Sequence, residues 1–267
     1  MEELWQVLAE TAVYDLGQTY FVGMPHFPTH PPFLYSLTRE HGEHVGPQGH
    51  SSAADGLAMG SHSGTHIDAL CHFSLNGELY GGEAAAQSYS GGMVRYAADT
   101  IAPILRRAVL LDIAGLMNVA ALSNDFEITP SHLNRAARGL EIHAGDIVLL
   151  RTGWANYWRE PARFFAQGHG PGPSSAGARW LSERSVFAAG SDTLAFEQIP
   201  SDTMPVHVHL LVESGIHIIE CLNLEELAAA RLRSFLFIAA PLKIRGATGA
   251  PMRPLAVAQP NGSKAIA

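Results

Sequence analysis

This 267-residue sequence is poor in charge: Asp, Glu, Lys and Arg together make up 16%. What charge there is runs acidic, with a formal net of −8, which argues against nucleic acid or an anionic membrane as partner. Cysteine is nearly absent as well. Two thiols, Cys71 and Cys221, cannot build a disulfide framework and suit a reducing compartment. Both read best as small buried apolar side chains. No apolar run approaches the eighteen or so residues of a membrane span, and no basic, apolar and small-residue start marks a secretory signal. A cytoplasmic protein is therefore expected. Internal repeats, linkers and low-complexity stretches are missing too. So are a Walker A loop, a Gly-x-Gly-x-x-Gly turn after a strand and a His-Glu-x-x-His helix. Gly60-Ser-His-Ser-Gly64 has the outline of a nucleophile elbow, but its centre is His62 rather than serine.

Apolar residues, at 47%, are ample for one large core, and the whole chain, 1–267, reads as a single domain. Residues 2–10 predict a short amphipathic helix with Leu4, Trp5, Val7 and Leu8 on one side. Tyr20 to Leu37 carries Pro25, Pro28, Pro31 and Pro32 among aromatic residues. That density forbids a helix and predicts an extended apolar loop walling a pocket. The N-terminal unit, helix plus pocket loop, runs over 1–40. From residue 108 strands and helices alternate: strands at 109–113, 146–152, 193–196, 216–219 and 234–240, with helices at 130–138, 178–189, 205–213 and 224–232. Residues 168–177 read as loop, and 250–267 as a C-terminal loop and tail. Apolar strands between helices predict an α/β domain whose sheet is covered on both faces.

The most informative segment is His62-Ser-Gly-Thr-His-Ile-Asp-Ala-Leu-Cys-His72. His62, His66, Asp68 and His72 place three imidazoles and a carboxylate at even offsets. Imidazole nitrogen and carboxylate oxygen are common ligands of zinc and manganese. Ser63, Gly64, Thr65 and Ile67 favour an extended segment running into a turn, where even offsets share one face. His62, His66 and Asp68 can then hold one cation. Further ligands have to come from elsewhere, and residues 207–220 offer them. His207 and His209 begin a helix, and Glu220 closes a strand, at the end where α/β folds place their sites. His207 and His209 are rival candidates. His217 reads equally as a packed core residue, and Glu213 as solvated. Phe21, Phe27, Phe33, Tyr35 and Trp154 read equally as an aromatic pocket lining or as core.

His-x-Gly-Thr-His-x-Asp-x-x-x-His over 62–72, with Pro205-Val-His207 and Gly215-Ile through Glu220, resembles the metal-dependent cyclase family. That family includes bacterial kynurenine formamidase, an enzyme of tryptophan catabolism, and isatin hydrolase. Asp15-Leu16, Met24-Pro-His-Phe-Pro28 and Gly249-Ala-Pro-Met-Arg-Pro254 extend the likeness over nearly the whole chain. The resemblance implies a swivelling β/β/α fold, a mixed sheet flanked by helices, in a homodimer or larger homo-oligomer. It implies one or two divalent ions per subunit. His62, His66 and Asp68 would bind the first, Asp68 and Glu220 would bridge to a second, and His207 (or His209) would complete it. His72 would be the general acid/base, and Phe27 an aromatic contact to substrate.

The expected chemistry is hydrolysis of an amide, formamide or lactone in a small aromatic substrate. A divalent ion lowers the pKa of bound water from 15.7 to about 7, and His72, ordinarily near 6.5, would shuttle the proton. A cyclase or lyase acting on a polyketide-like or hydroxy-acid substrate is the alternative.

Overall fold

The runs read as buried strands form the centre of a nine-stranded mixed sheet. The structure, a computed structural model, describes residues 9–259 together with Glu2 and Trp5. The helix expected over 2–10 and the tail past 259 fall largely outside the described residues. In chain order the strands are β1 (Ala12–Asp15), β2 (His66–Asp68), β3 (Ile104–Asp112), β4 (Ile147–Arg151), β5 (Ala188–Ser191), β6 (His217–Glu220), β7 (Ser234–Ala239), β8 (Gly249–Pro251) and β9 (Leu255–Ala258). Across the sheet they run β1-β9-β7-β3-β4-β5-β6-β2-β8. β3, β4, β5 and β6 are parallel neighbours. All other pairings in this sheet are antiparallel.

A two-residue period sorts these strands onto two cores. Leu110, Leu149, Ala188 and Ile219 enter one cluster; Leu111, Leu150, Ala189 and Ile218 enter the other. The second face is roofed by α1 (Pro130–Ala136), α2 (Ser175–Ser182) and α3, which opens at Pro205–His207 and widens into π-helical turns over Val208–Glu213. These helices contribute Leu133, Trp180, Leu181, Leu210 and Leu211. The first face takes Leu227 from α4 (Glu225–Ala229), and Leu16 and Leu79 from loops. With both faces covered, the central runs of the parallel strands, Ala108–Leu111 and Ile147–Leu150 among them, are apolar and buried. Truncating a fully buried leucine here, such as Leu149, is expected to cost about 2–5 kcal/mol. Met24, Phe33, Trp154, Trp158 and Phe164 build a third cluster, which anchors the proline-rich segment beside the sheet.

Several elements differ from expectation. The helix expected over 178–189 is α2, which starts at Ser175 and ends at Ser182, followed by strand β5. Ser174 caps its first turn by accepting from Gly177 N. β5 is alanine- and glycine-rich because it is squeezed: a Cβ on Gly190 would lie 3.0 Å from both Ile219 Cβ and Leu149 Cδ2. Tertiary packing overrides helix propensity there. Thr193–Phe196 is not a strand. It turns over the end of β5, where Phe196 N donates to Glu220 Oε1 at 2.7 Å. Residues 250–267 are not all loop, since β8 and β9 pair into the sheet. The expected loop at 168–177 includes Gly172–Pro173, paired with Glu127–Ile128. Leu34 to Leu37 leave the pocket loop for an exposed hairpin, Leu34–Arg39 with Ala54–Ala58.

Candidate metal centre

β2 turns Ile67 into the core and His66 and Asp68 to the opposite face. Its neighbour β6 runs antiparallel, with Glu220 opposite His66 and Ile218 opposite Asp68, so Glu220 emerges on that face too. His62 and His72 lie outside the strand. The extended run expected from His62 onward holds only at His66–Asp68; residues 61–65 form a turn. Gly64 sits there at φ +62, and a Cβ on it would come within 2.2 Å of the Tyr20 ring. Tyr20 in turn donates its hydroxyl to Ser63 O (3.0 Å) and Thr65 O (3.1 Å). Thr65 Oγ1 donates to Cys221 O at 2.6 Å, tying this turn to the residue after Glu220. Gly249 of β8 lies under His62, where a Cβ would meet the ring at 2.6 Å.

These elements converge on one point. His62 Nδ1 stands 2.7 Å from Asp68 Oδ1, His66 Nε2 lies 3.4 Å from Asp68 Oδ1 and 3.4 Å from Glu220 Oε2, and His207 Nε2 lies 3.3 Å from Glu220 Oε1. The outward nitrogens are held as well: His62 Nε2 by Thr248 Oγ1 (2.9 Å), His66 Nδ1 by Gly64 O (2.8 Å) and His207 Nδ1 by Glu197 Oε2 (2.5 Å). Such outer hydrogen bonds fix the tautomer and aim the other ring nitrogen. Donor atoms of His62, Asp68 and His72 lie within 4.8 Å of one another, and so do those of His66, Asp68 and Glu220.

The donor set fits a divalent cation. Asp68 Oδ1 and Oδ2 and His66 Nε2 are buried without a hydrogen-bond partner, although imidazole nitrogens stand close by. Lone pairs facing one another across a small gap is the arrangement that a shared cation satisfies and that water-excluded polar groups otherwise avoid. Asp68, Glu197 and Glu220 are all buried, and among the described residues their ion-pair partners are histidines alone. Burial raises the Asp68 pKa, but His72, His62 and His66 outweigh it and hold the carboxyl well below its usual range. Burial opposes charge on His207 too, yet hydrogen bonding to Glu197 and Glu220 lifts it to about 10. The pocket asks for positive charge. His72 is the exception: burial, reinforced by neighbouring histidines, pushes it down to about 3 against the pull of Asp68. Its ring is therefore neutral at physiological pH.

A cavity of about 300 Å³ opens beside the cluster, lined by Phe27, His62, His72, Phe73, His207 and Glu220 among others. A larger groove of about 650 Å³, lined by Asp15, Tyr20 and Arg253, shares no residue with it. Phe27 thus lies at the site. Phe33 and Trp154 belong to the buried aromatic cluster, with Phe21 packed against it, and Tyr35 is exposed on the hairpin. His209 is not at the cluster. Its Nε2 meets Ser182 Oγ (2.8 Å) and its Nδ1 meets Glu213 Oε2 (2.6 Å), because residues two apart on a helix point to opposite sides. His217 bonds Asp68 O through Nδ1 at 2.8 Å. Two contributors escaped sequence reading. Glu197 accepts from His207 N as well as its ring, and His30 lines the cavity. Pro31-Pro32 after His30, which pin its backbone, were the available signal.

The Cyclase family model matches residues 14–198, a span that holds His62 to His72 but stops short of His207 and Glu220. Isatin hydrolase from Roseibium aggregatum is 28% identical over 211 residues, covering 75% of this chain and 73% of that protein. Among solved structures, a novel cyclase superposes with a TM-score of 0.84 at 26% identity, covering 96% of this chain and 90% of that one. Isatin hydrolase A from Ralstonia solanacearum gives 0.76 at 27% identity, covering 96% of both chains.

Proposed function

The chain belongs to the Cyclase family, and from that premise we propose that it is a metal-dependent hydrolase cleaving an amide, formamide or lactone bond in a small aromatic substrate. The carrying observation is the trio of buried, unpartnered donor atoms on Asp68 and His66 beside a cavity bordered by His72 and Phe27. The likeness to isatin hydrolases supports a C–N acyl bond in an aryl compound.

In this reading His62, His66 and Asp68 would hold one zinc or manganese ion, and Asp68, Glu220 and His207 would hold a second where two are bound. Such an ion, when bound, acidifies water and polarises a carbonyl. Glu197 keeps the proton of His207 on Nδ1 and so aims Nε2 at the site. Thr248 and Gly64 do the same for His62 and His66. His72, neutral and with no side-chain hydrogen bond among the described residues, accepts the proton of the attacking water and returns it to the leaving nitrogen or oxygen. Phe27 and Phe73 pack the aryl group and exclude solvent.

Purified protein of known metal content is to be offered N-formylkynurenine, isatin and small lactones, with and without chelator. Ring-opened products heavier by one water from isatin and the lactones, or formate with the free amine from N-formylkynurenine, formed only without chelator, are expected. Turnover that survives full metal removal sinks the reading, and a product of unchanged mass shifts it to a cyclase or lyase.

A further inference from the structure

The segment Gly168-His-Gly-Pro-Gly-Pro173 has the glycine content of an anion cradle, but its amides are spent elsewhere. His169 N donates to Ala166 O (3.2 Å), Gly170 N to Ile199 O (3.1 Å) and Gly172 N to Phe126 O (3.2 Å), while Pro171 and Pro173 have no N–H to give. No amide from 169 to 173 is left for an anion. The segment lies instead against the turn that carries Glu197. Ile199 N returns a hydrogen bond to Gly170 O at 3.0 Å, and Gly172–Pro173 is fixed by its pairing with Glu127–Ile128.

Gly172 is buried and abuts that turn directly. A Cβ on it would stand 2.3 Å from Glu197 C, 2.4 Å from Gln198 N and 2.4 Å from Phe196 O. These are backbone atoms, which cannot rotate aside as the end of a side chain can. Non-bonded carbons pack at about 3.5–4.0 Å, so a side chain on Gly172 drives residues 196–198 back by about 1 Å. Its φ lies outside the left-handed region, so space alone demands glycine there. Gly170 differs, since a Cβ on it meets only the Ile199 side chain, Cγ1 at 3.3 Å and Cδ1 at 3.6 Å.

Glu197 is buried, and its Oε2 accepts from His207 N (3.2 Å) and from His207 Nδ1, while its Oε1 accepts from Ser201 Oγ (3.1 Å). A displacement of about 1 Å takes contacts of this length out of hydrogen-bonding range. We propose that Gly172 is a positioning residue of the metal centre. Its missing side chain seats the 196–198 backbone at the depth from which Glu197 holds the His207 Nδ1 proton and aims Nε2 at Glu220. This role rests on the reading of His207 as a metal ligand and is independent of the substrate.

Metal-free wild type is to be compared with Gly172→Ala and Gly170→Ala in the imidazole proton and nitrogen-15 spectra. A His207 Nδ1 proton held by a buried carboxylate is expected far downfield in the wild type and in Gly170→Ala, and lost or moved upfield in Gly172→Ala. Titration with manganous ion against a chromogenic chelator is expected to show affinity lowered about 10–100-fold in Gly172→Ala and unchanged in Gly170→Ala. Because Gly172 acts through Glu197, adding Gly172→Ala to Glu197→Gln should lower that affinity no further. A His207 proton untouched by Gly172→Ala, an equal effect of Gly170→Ala, or losses that add in the double variant overturns the proposal. Should Gly172→Ala not fold, Pro171→Gly decides, since it adds no bulk and only loosens the segment; a His207 proton that then exchanges no faster than in the wild type is equally fatal. A His207 proton that moves in Gly172→Ala while metal affinity holds would remove His207 from the ligand set and leave the positioning role standing.

Discussion

His66 and Glu220 are directly opposed residues of neighbouring antiparallel strands, with His66 Nε2 3.4 Å from Glu220 Oε2. Side chains opposite one another across such a pair share a face. A slip of one residue would bury the carboxylate in the opposite core and present Ile219 instead. The candidate metal centre is therefore a property of strand register as much as of ligand chemistry.

His72→Ala is expected to lower turnover by about 10²–10⁴-fold, the usual worth of a positioned proton carrier, while metal per subunit stays unchanged. Kinetics combined with elemental analysis reads both. If metal content falls with the activity, His72 belongs to the ligand set, as its nearness to His62 and Asp68 also allows.

Gly249→Ala places a methyl 2.6 Å from His62 Cε1 and so pushes that ring off its station by Asp68. Metal affinity is expected to fall about 10–100-fold, as when an outer-shell support is lost. Gly56→Ala is the control, because its Cβ meets only Thr38 Cγ2 at an ordinary 3.6 Å. Competition with a chromogenic chelator measures both, and equal affinities would refute the steric account.

His207→Ala and His209→Ala separate two histidines that the sequence left as rivals. Removing His207 takes away the imidazole that pairs with the buried carboxylates of both Glu197 and Glu220, a loss of up to about 3–5 kcal/mol, and should reduce bound metal. Removing His209 breaks contacts to Ser182 and half-exposed Glu213. That is expected to cost below about 1 kcal/mol and to leave metal binding intact. Urea midpoints and metal stoichiometry report the outcome, and metal loss in His209→Ala would reverse the assignment.

Asp192 gives the fold a pH signature away from the site. Burial lifts its carboxyl to about 6, and Glu225 adds to the rise; donors from Thr152 and Gly153 oppose it. A raised native pKa means the folded state holds a proton the unfolded chain has lost between about pH 4 and 6. The associated stability is full below about pH 4 and is lost as pH climbs through 6, by about 3 kcal/mol. Relative to Asp192→Asn, the wild type is expected to lose ground over that window and then level off. A stability difference that stays flat from pH 4 to 8 would contradict the raised pKa.

Strands β3 and β4 were legible because their apolar runs admit only burial on both faces, and α1 because Thr129-Pro130 marks its start. The same local logic misplaced the helix at 178–189. Ala188–Ser191 has no strand-like side chains, and its extended form comes from neighbours too close for larger ones. His62, His66, Asp68 and His72 were legible from spacing alone. Glu197 was not, since its role depends on reaching the first turn of α3 from a loop with no ligand pattern. His30 was hidden within a run read only for its prolines and aromatics.

By itself the sequence determined the donor chemistry: imidazoles and a carboxylate gathered in eleven residues, with too little charge elsewhere to suggest another use. Only the tertiary structure decided which distant residues join them. It set His207 rather than His209 at the cluster through helix phase, brought Glu220, a candidate already in the sequence, opposite His66 through strand register, and brought up Glu197 and His30 from loops. Such choices depend on which faces meet once both sides of the sheet are covered, and that is a property of the packed core rather than of any local run of residues.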